Sequence, residues 1–180
     1  MVDDYSHLRL PKLVAFDLDG TVWTPDMYQL WGGGAPFRYA PNKKDLLDSS
    51  GSTVRLLGET RQILDDLHSH PSFVENETVV AWVSCTDEPE WAQECLEKFR
   101  TNSDVPLVTI AHSSQIYKAD KSQHFRRLHR EYPSIEFEDM LFFDNERSNI
   151  VSVGKLGVKC IHCPEGMTAE VWQRGLRLFN

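Results

Sequence analysis

Long apolar runs are absent from this sequence, and nothing in it approaches the roughly 18 residues that a membrane-crossing helix needs. Basic residues are scarce as well. Nineteen Lys and Arg against 27 Asp and Glu give a formal net charge of −8. A general binder of nucleic acid or of anionic membrane needs the opposite balance, so neither partner is expected. Cysteine is limited to four residues, and the polar start "MVDDYSHLRLPK" has the character of neither a secretory nor a transit leader. Both features fit a reduced, cytoplasmic protein. Cys160 and Cys163 have the spacing of half a zinc site, but no second pair matches it, so they are expected to be buried strand thiols. Internal repeats and low-complexity tracts are missing too.

What is present is a globular composition: 180 residues with 41% apolar and 11% aromatic side chains, enough to bury one core. Five runs of strand length lack polar alternation, as strands covered on both faces do: residues 13–19, 78–85, 106–113, 140–145 and 158–163. Helical periodicity fills most of the gaps. Leu57, Ile63, Leu64 and Leu67 share one face. Trp91, Cys95, Leu96 and Phe99 follow Asp87 and Glu90, which have capping-box spacing around Pro89. Phe125, Leu128 and Tyr132 align, Gly157 is placed to end a helix, and Thr168 to begin the last one. Alternating strands and helices predict an α/β fold: a Rossmann-like, mainly parallel five-stranded sheet with helices on both faces. One domain should span residues 1–180. Residues 24–55, rich in Gly, Pro and Ser, read as a short flap or irregular hairpin rather than a large cap. Its basic residues Arg38, Lys43 and Lys44 fit a solvated loop, or a lure for an anionic substrate.

In open parallel sheets, ligands bind at the carboxyl ends of the strands. Those ends carry Asp17 and Asp19, then Ser84, then Asp144, Asn145 and Glu146, while Lys121 opens the helix before the fourth strand. Hard oxygen ligands with a lysine suit phosphoryl transfer with Mg²⁺. One carboxylate can attack phosphorus, and a second, two residues on and on the same side, can serve as acid and base. Gly20 would let the chain turn away and leave room for the phosphate. Each residue also has an ordinary reading: Asp before Gly is common in turns, Asn145 and Glu146 can start a helix, and Lys118 rivals Lys121.

"FDLDGT" is similar to the D-x-D-G-T signature of the haloacid dehalogenase-like phosphatases. With "SCTDE", "IYKADKSQHFRRLH", "FFDNERSNI" and "LGVKCIHCPEGM", the chain resembles the magnesium-dependent phosphatase family, a capless branch of that superfamily, over residues 14 to about 167. The resemblance implies Asp17 as nucleophile, Asp19 as acid/base with its main-chain carbonyl on Mg²⁺, and Ser84 and Lys121 on the phosphate. Asp144 and Asn145 would complete the metal site. Three positions depart from the pattern: Gly20 replaces a tyrosine, Cys85 an arginine, and Asn145 an aspartate. The Asp-Asn pair resembles the carboxy-terminal-domain phosphatases, whose amide oxygen ligates the metal. The implied substrates are aryl phosphates, including phosphotyrosine, small phosphate esters, and phosphorylated or glycated protein. A serine/threonine phosphatase and a phospho-ligand binder without turnover are the alternatives.

Overall fold

A computed structural model describes residues 4–180. The chain enters with strand β1 (Leu13–Phe16) and runs through four short strands, β2 (Trp23–Thr24), β3 (Arg38–Tyr39), β4 (Leu46–Leu47) and β5 (Thr53–Leu56). It then alternates: α1 (Thr60–Ser69), α2 (Pro71–Glu75), β6 (Val79–Ser84), α3 (Pro89–Lys98), β7 (Ser113–Ile116), α4 (Lys121–Glu131), β8 (Met140–Asp144), α5 (Arg147–Gly154), β9 (Lys159–His162) and α6 (Ala169–Arg177). The main sheet has five parallel strands in the order β7-β6-β1-β8-β9, as the alternating pattern predicted.

Both faces of its centre are dry, which is why the strands read as unbroken apolar runs. Val14 and Phe16 of β1, Trp82 of β6 and Phe143 of β8 pack on one side with Leu96 of α3 and Trp172 of α6. Leu13, Ala15, Val83 and Phe142 point the other way, onto Phe125 and Leu128 of α4 and Val153 of α5. Burying Trp82 and Trp172 as complete side chains makes the first layer the thicker one.

Three local expectations are corrected. The third strand lies at Ser113–Ile116, not at 106–113; Leu107–Thr109 form a 3₁₀ turn instead. Leu107 and Ile110 earned their apolar character by packing beneath α3, whereas the strand is an edge with polar side chains and lacks the signature of a buried one. Asp87 and Glu90 form no capping box: Glu88 occupies the cap without a side-chain bond, and Asp87 instead takes Lys118 Nζ at 2.7 Å. Leu57 lies before α1, and Pro71 ends that helix by disfavouring helical backbone at His70, which then caps α2 by accepting the Ser72 N–H. Thr168 caps α6 as expected, accepting from Val171 N.

Residues 24–55 are more built than a hairpin. Strands β2, β5, β4 and β3 form a second, antiparallel sheet in that order, and Met27, Leu30, Phe37, Leu46 and Val54 join the main core. Asp48 ties the segment together, accepting from Gly34 N, Ser50 N and Ser52 N. Gly34 lies flat on Trp91, where a Cβ would come within 2.2 Å of the indole.

Packing α4 against the sheet buries His124 completely. Its Nε2 contacts the Tyr117 carbonyl at 3.0 Å, and Nδ1 has no partner. Burial, with the nearby Lys121 charge adding to it, pushes the imidazole down to about 4. The folded state therefore holds His124 neutral while the unfolded chain takes up a proton below about pH 6.5. Its contribution to stability is complete above that pH and is lost as pH falls toward 4. Unfolding free energies of wild type and His124→Gln should converge by about 2 kcal/mol between pH 7 and pH 5, at about 1.4 kcal/mol per pH unit. Parallel denaturation curves would remove this account.

Candidate active site

Asp17, Ser84 and Asp144 come together because β1, β6 and β8 are the three central strands and all end at the same edge. Lys121 reaches them from the first turn of α4, which starts where Asp120 accepts the Ser122 N–H. The result is a cleft of about 180 Å³, with Asp17, Asp19, Ser84, Cys85, Lys121 and Asn145 among its walls.

At the floor, Lys121 Nζ lies 2.5 Å from Asp17 Oδ1 and 3.4 Å from Asp144 Oδ2 and also donates to the Val83 carbonyl. The lysine is 1% exposed and Asp144 fully buried. Burial alone would lower the ammonium; Asp17 and Asp144 together outweigh it and hold the lysine above its usual range. Burial, then the neighbouring Asp17, pushes the Asp144 carboxyl up. Asp144 is otherwise committed: Oδ1 accepts from Glu146 N at 2.7 Å and Oδ2 from Asn149 Nδ2 at 3.0 Å.

Asp19 is held from two sides. Trp23 Nε1 donates to Oδ1 at 2.7 Å, and the Met27 N–H donates to Oδ2 at 3.1 Å. Burial drives this carboxyl up to about 7 against those two bonds, so a proton is readily available on it near neutral pH.

Asn145 Oδ1 faces other acceptors, with Asp17 Oδ2 3.3 Å away and the Asp19 carbonyl 3.1 Å away. Three oxygens so close repel one another unless a cation lies between them or the amide turns its nitrogen inward. Among the described residues no three His, Cys, Asp or Glu side chains converge as a metal cage. One carboxylate, one main-chain carbonyl and one amide oxygen are instead the hard, sparse set that suits Mg²⁺, which keeps several waters. Octahedral ligands at its usual bond length stand about 2.9 Å apart, close to the spacing seen. The donor set therefore fits the ion, and Asp144 is turned to the lysine.

Gly20 has φ +74°, and a Cβ there would come within 2.3 Å of the Asn145 amide. The room that this glycine makes is thus taken by Asn145 rather than by the phosphate. Gly20→Ala should weaken Mg²⁺ binding by about ten-fold, the size of effect seen when support around a metal ligand is lost. Calorimetric titration checks this, and an unchanged affinity would separate Gly20 from the metal site.

Ser84 is buried, its Oγ accepting from Thr86 N at 3.3 Å. Cys85 turns its Sγ to the Ala119 carbonyl at 2.9 Å, and burial raises the thiol. Lys118 is excluded from the site by its exposed pairing with Asp87, and Arg38, Lys43 and Lys44 do not line the cleft. Cys160 and Cys163 are free thiols, both pushed up to about 12 by burial. Trp23 is wholly buried, whereas Trp31 is 83% exposed.

Sequence reasoning missed Thr21, Asn149 and Tyr28. The Thr21 hydroxyl lies 3.3 Å from Asp17 Oδ2 and accepts the Asn145 N–H at 3.0 Å, bridging two strand ends far apart in the chain. Its place in D-x-D-G-T was the available signal. Nothing local marks Asn149 or Tyr28.

The acid phosphatase family model matches residues 9–180. Human magnesium-dependent phosphatase 1 is 37% identical over 174 residues, which cover 95% of this chain and 88% of that protein. A HAD-like hydrolase superfamily protein of Schizosaccharomyces pombe is 29% identical over 161 residues, 84% of this chain and 85% of that one. Among solved structures, the N-terminal part of a Bacteroides fragilis protein containing a phosphatase domain, complexed with Mg, superposes with a TM-score of 0.60 at 18% identity. It covers 95% of this chain and 41% of that one. A HAD-superfamily hydrolase from Ehrlichia chaffeensis gives 0.59 at 16% identity, covering 96% of this chain and 100% of that one. At such identities these two structures speak to the fold.

Proposed function

This chain belongs to the magnesium-dependent phosphatase family, and from that premise we propose that it hydrolyses phosphate monoesters through a phospho-Asp17 intermediate. The observation that carries this reading is the division of labour on Asp17: Oδ1 is on Lys121, while Oδ2 lies beside the Asn145 amide, which also neighbours the Asp19 carbonyl.

Asp17 Oδ2, the Asp19 carbonyl and Asn145 Oδ1 would hold Mg²⁺, which supplies Lewis-acid neutralisation of phosphoryl oxygens when bound. Asp17 Oδ1, which accepts from Lys121 on one lone pair, attacks phosphorus with another. As that P–O bond forms, the bond to the ester oxygen breaks, and the Asp19 carboxyl delivers its proton to the departing oxygen. Lys121 balances charge on the transferred group, with Ser84 donating a hydrogen bond. In the second half, Asp19 takes a proton from water, whose oxygen attacks phosphorus, and Asp17 leaves as carboxylate with release of inorganic phosphate. Trp23 and Met27 keep Asp19 aimed through both halves. The substrates we propose are aryl phosphates, including phosphotyrosine, and phosphorylated sugars on glycated protein, since no large domain covers the cleft.

Removing divalent metal with EDTA should abolish hydrolysis of para-nitrophenyl phosphate, and Mg²⁺ should restore it. Acid quench during turnover should trap one phosphoryl group on the peptide containing Asp17. Metal-dependent turnover with no acid-trapped, hydroxylamine-labile label would leave a phosphatase in which water attacks directly.

A further inference from the structure

Six large hydrophobic side chains are exposed among the described residues, and the three aromatic ones, Tyr28, Trp31 and Tyr39, all lie within residues 24–55. Singly exposed aromatics are ordinary on a protein surface, so position relative to the cleft decides which of them can act on a ligand. Only Tyr28 of the three lines the cleft. It is 58% exposed and sits in the middle of a 3₁₀ turn, Met27–Gln29. The first N–H of that turn donates to Asp19 Oδ2, so the turn is fastened to the carboxylate that must protonate the departing oxygen. Tyr28 therefore borders the cleft close to that carboxylate. The rest of the mouth offers little else to an organic group: Asp26, Asp87 and Glu146 are carboxylates, Asp87 is already paired with Lys118, and among the described residues no guanidinium lines the cleft to hold a second anion.

We infer that Tyr28 is the leaving-group contact of this site, selecting esters with a planar aromatic group over aliphatic ones of similar size. The inference rests on the proposed function only in taking this cleft as the substrate's seat. A flat face offered to a ring gains from stacking and from water released on both surfaces. A flexible aliphatic group loses rotamer freedom on the same surface for less contact.

The test uses inert ligands, so that binding is read without turnover. Calorimetric titration with Mg²⁺ present compares phenylphosphonate with butylphosphonate. Wild type should prefer the phenyl compound by about three- to ten-fold, the range expected for one aromatic pair. Tyr28→Ala should abolish the preference by weakening phenylphosphonate more than butylphosphonate, and Tyr28→Phe should retain it. Equal affinities in wild type, a preference that survives Tyr28→Ala, or no binding of either phosphonate would each overturn the assignment. Hydrolysis of para-nitrophenyl phosphate by the same preparation judges the other reading separately. Aryl preference without turnover would remove the phospho-Asp17 mechanism and keep Tyr28, and turnover without preference would do the reverse.

Discussion

Asp17→Asn should lower hydrolysis of para-nitrophenyl phosphate by on the order of 10⁴ or more, with no acid-trapped phosphoenzyme, in a protein that keeps its fold. The amide is nearly isosteric but has no oxygen able to form and release an acyl phosphate. The charge balance explains why folding should survive. In the native floor one ammonium, Lys121, faces two carboxylates, Asp17 and Asp144. Removing one negative charge leaves a matched, buried pair. The Asp144 carboxyl, which Asp17 helps to push up, should then move back toward the normal carboxylate range. Thermal denaturation and kinetics measured on one preparation check both halves of the expectation. Substantial residual activity at saturating Mg²⁺ would mean that Asp17 is not the attacking group.

Lys121→Met should behave in the opposite way, damaging both stability and catalysis. Methionine fills much of the same volume, so packing is largely kept, but two buried carboxylates lose their only counter-charge. Breaking a buried pair from one side typically costs about 3–5 kcal/mol, because the remaining charge is left uncompensated. Added Mg²⁺ should recover part of the loss in the variant, since it would neutralise Asp17 where the lysine no longer does. Turnover should fall by about 10²–10³ even with metal, the usual scale for removing one group that stabilises transition-state charge. A variant as stable as wild type in EDTA would show that the floor carboxylates are protonated rather than held by the lysine. Together the two substitutions separate the nucleophile from its counter-ion, because they change the same charge cluster in opposite directions.

The parts of the site that could be read from the chain are those carried by strand ends. Asp17 and Asp19 follow an apolar run and precede a glycine, and Asp144 and Asn145 end another such run. Ser84 and Lys121 were found from their order along an α/β alternation. Thr21 stood in plain view within the motif, yet only the observed bridge from Asp17 to Asn145 shows what its hydroxyl does. Strand β7 escaped for a different reason: an edge strand needs apolar residues on few positions, so its pattern does not stand out from a loop.

By itself, then, the sequence determined the α/β class, the alternation that builds the parallel sheet and which residues would stand at its carboxyl edge, because burial on both faces forces apolar runs and the sheet brings their ends together. Tertiary structure alone decided how those residues are partnered. It assigned Lys121 rather than Lys118 to the floor, since one is enclosed beside two carboxylates while the other pairs with Asp87 in water. Asn145 lies beside Asp17 and the Asp19 carbonyl, whereas the Glu146 main-chain N–H, the Asn149 amide and Lys121 have already taken both Asp144 oxygens. And residues 24–55 became a second small sheet locked into the core, with Tyr28 left at the cleft's mouth, because contacts between distant residues decide how a Gly- and Pro-rich segment folds.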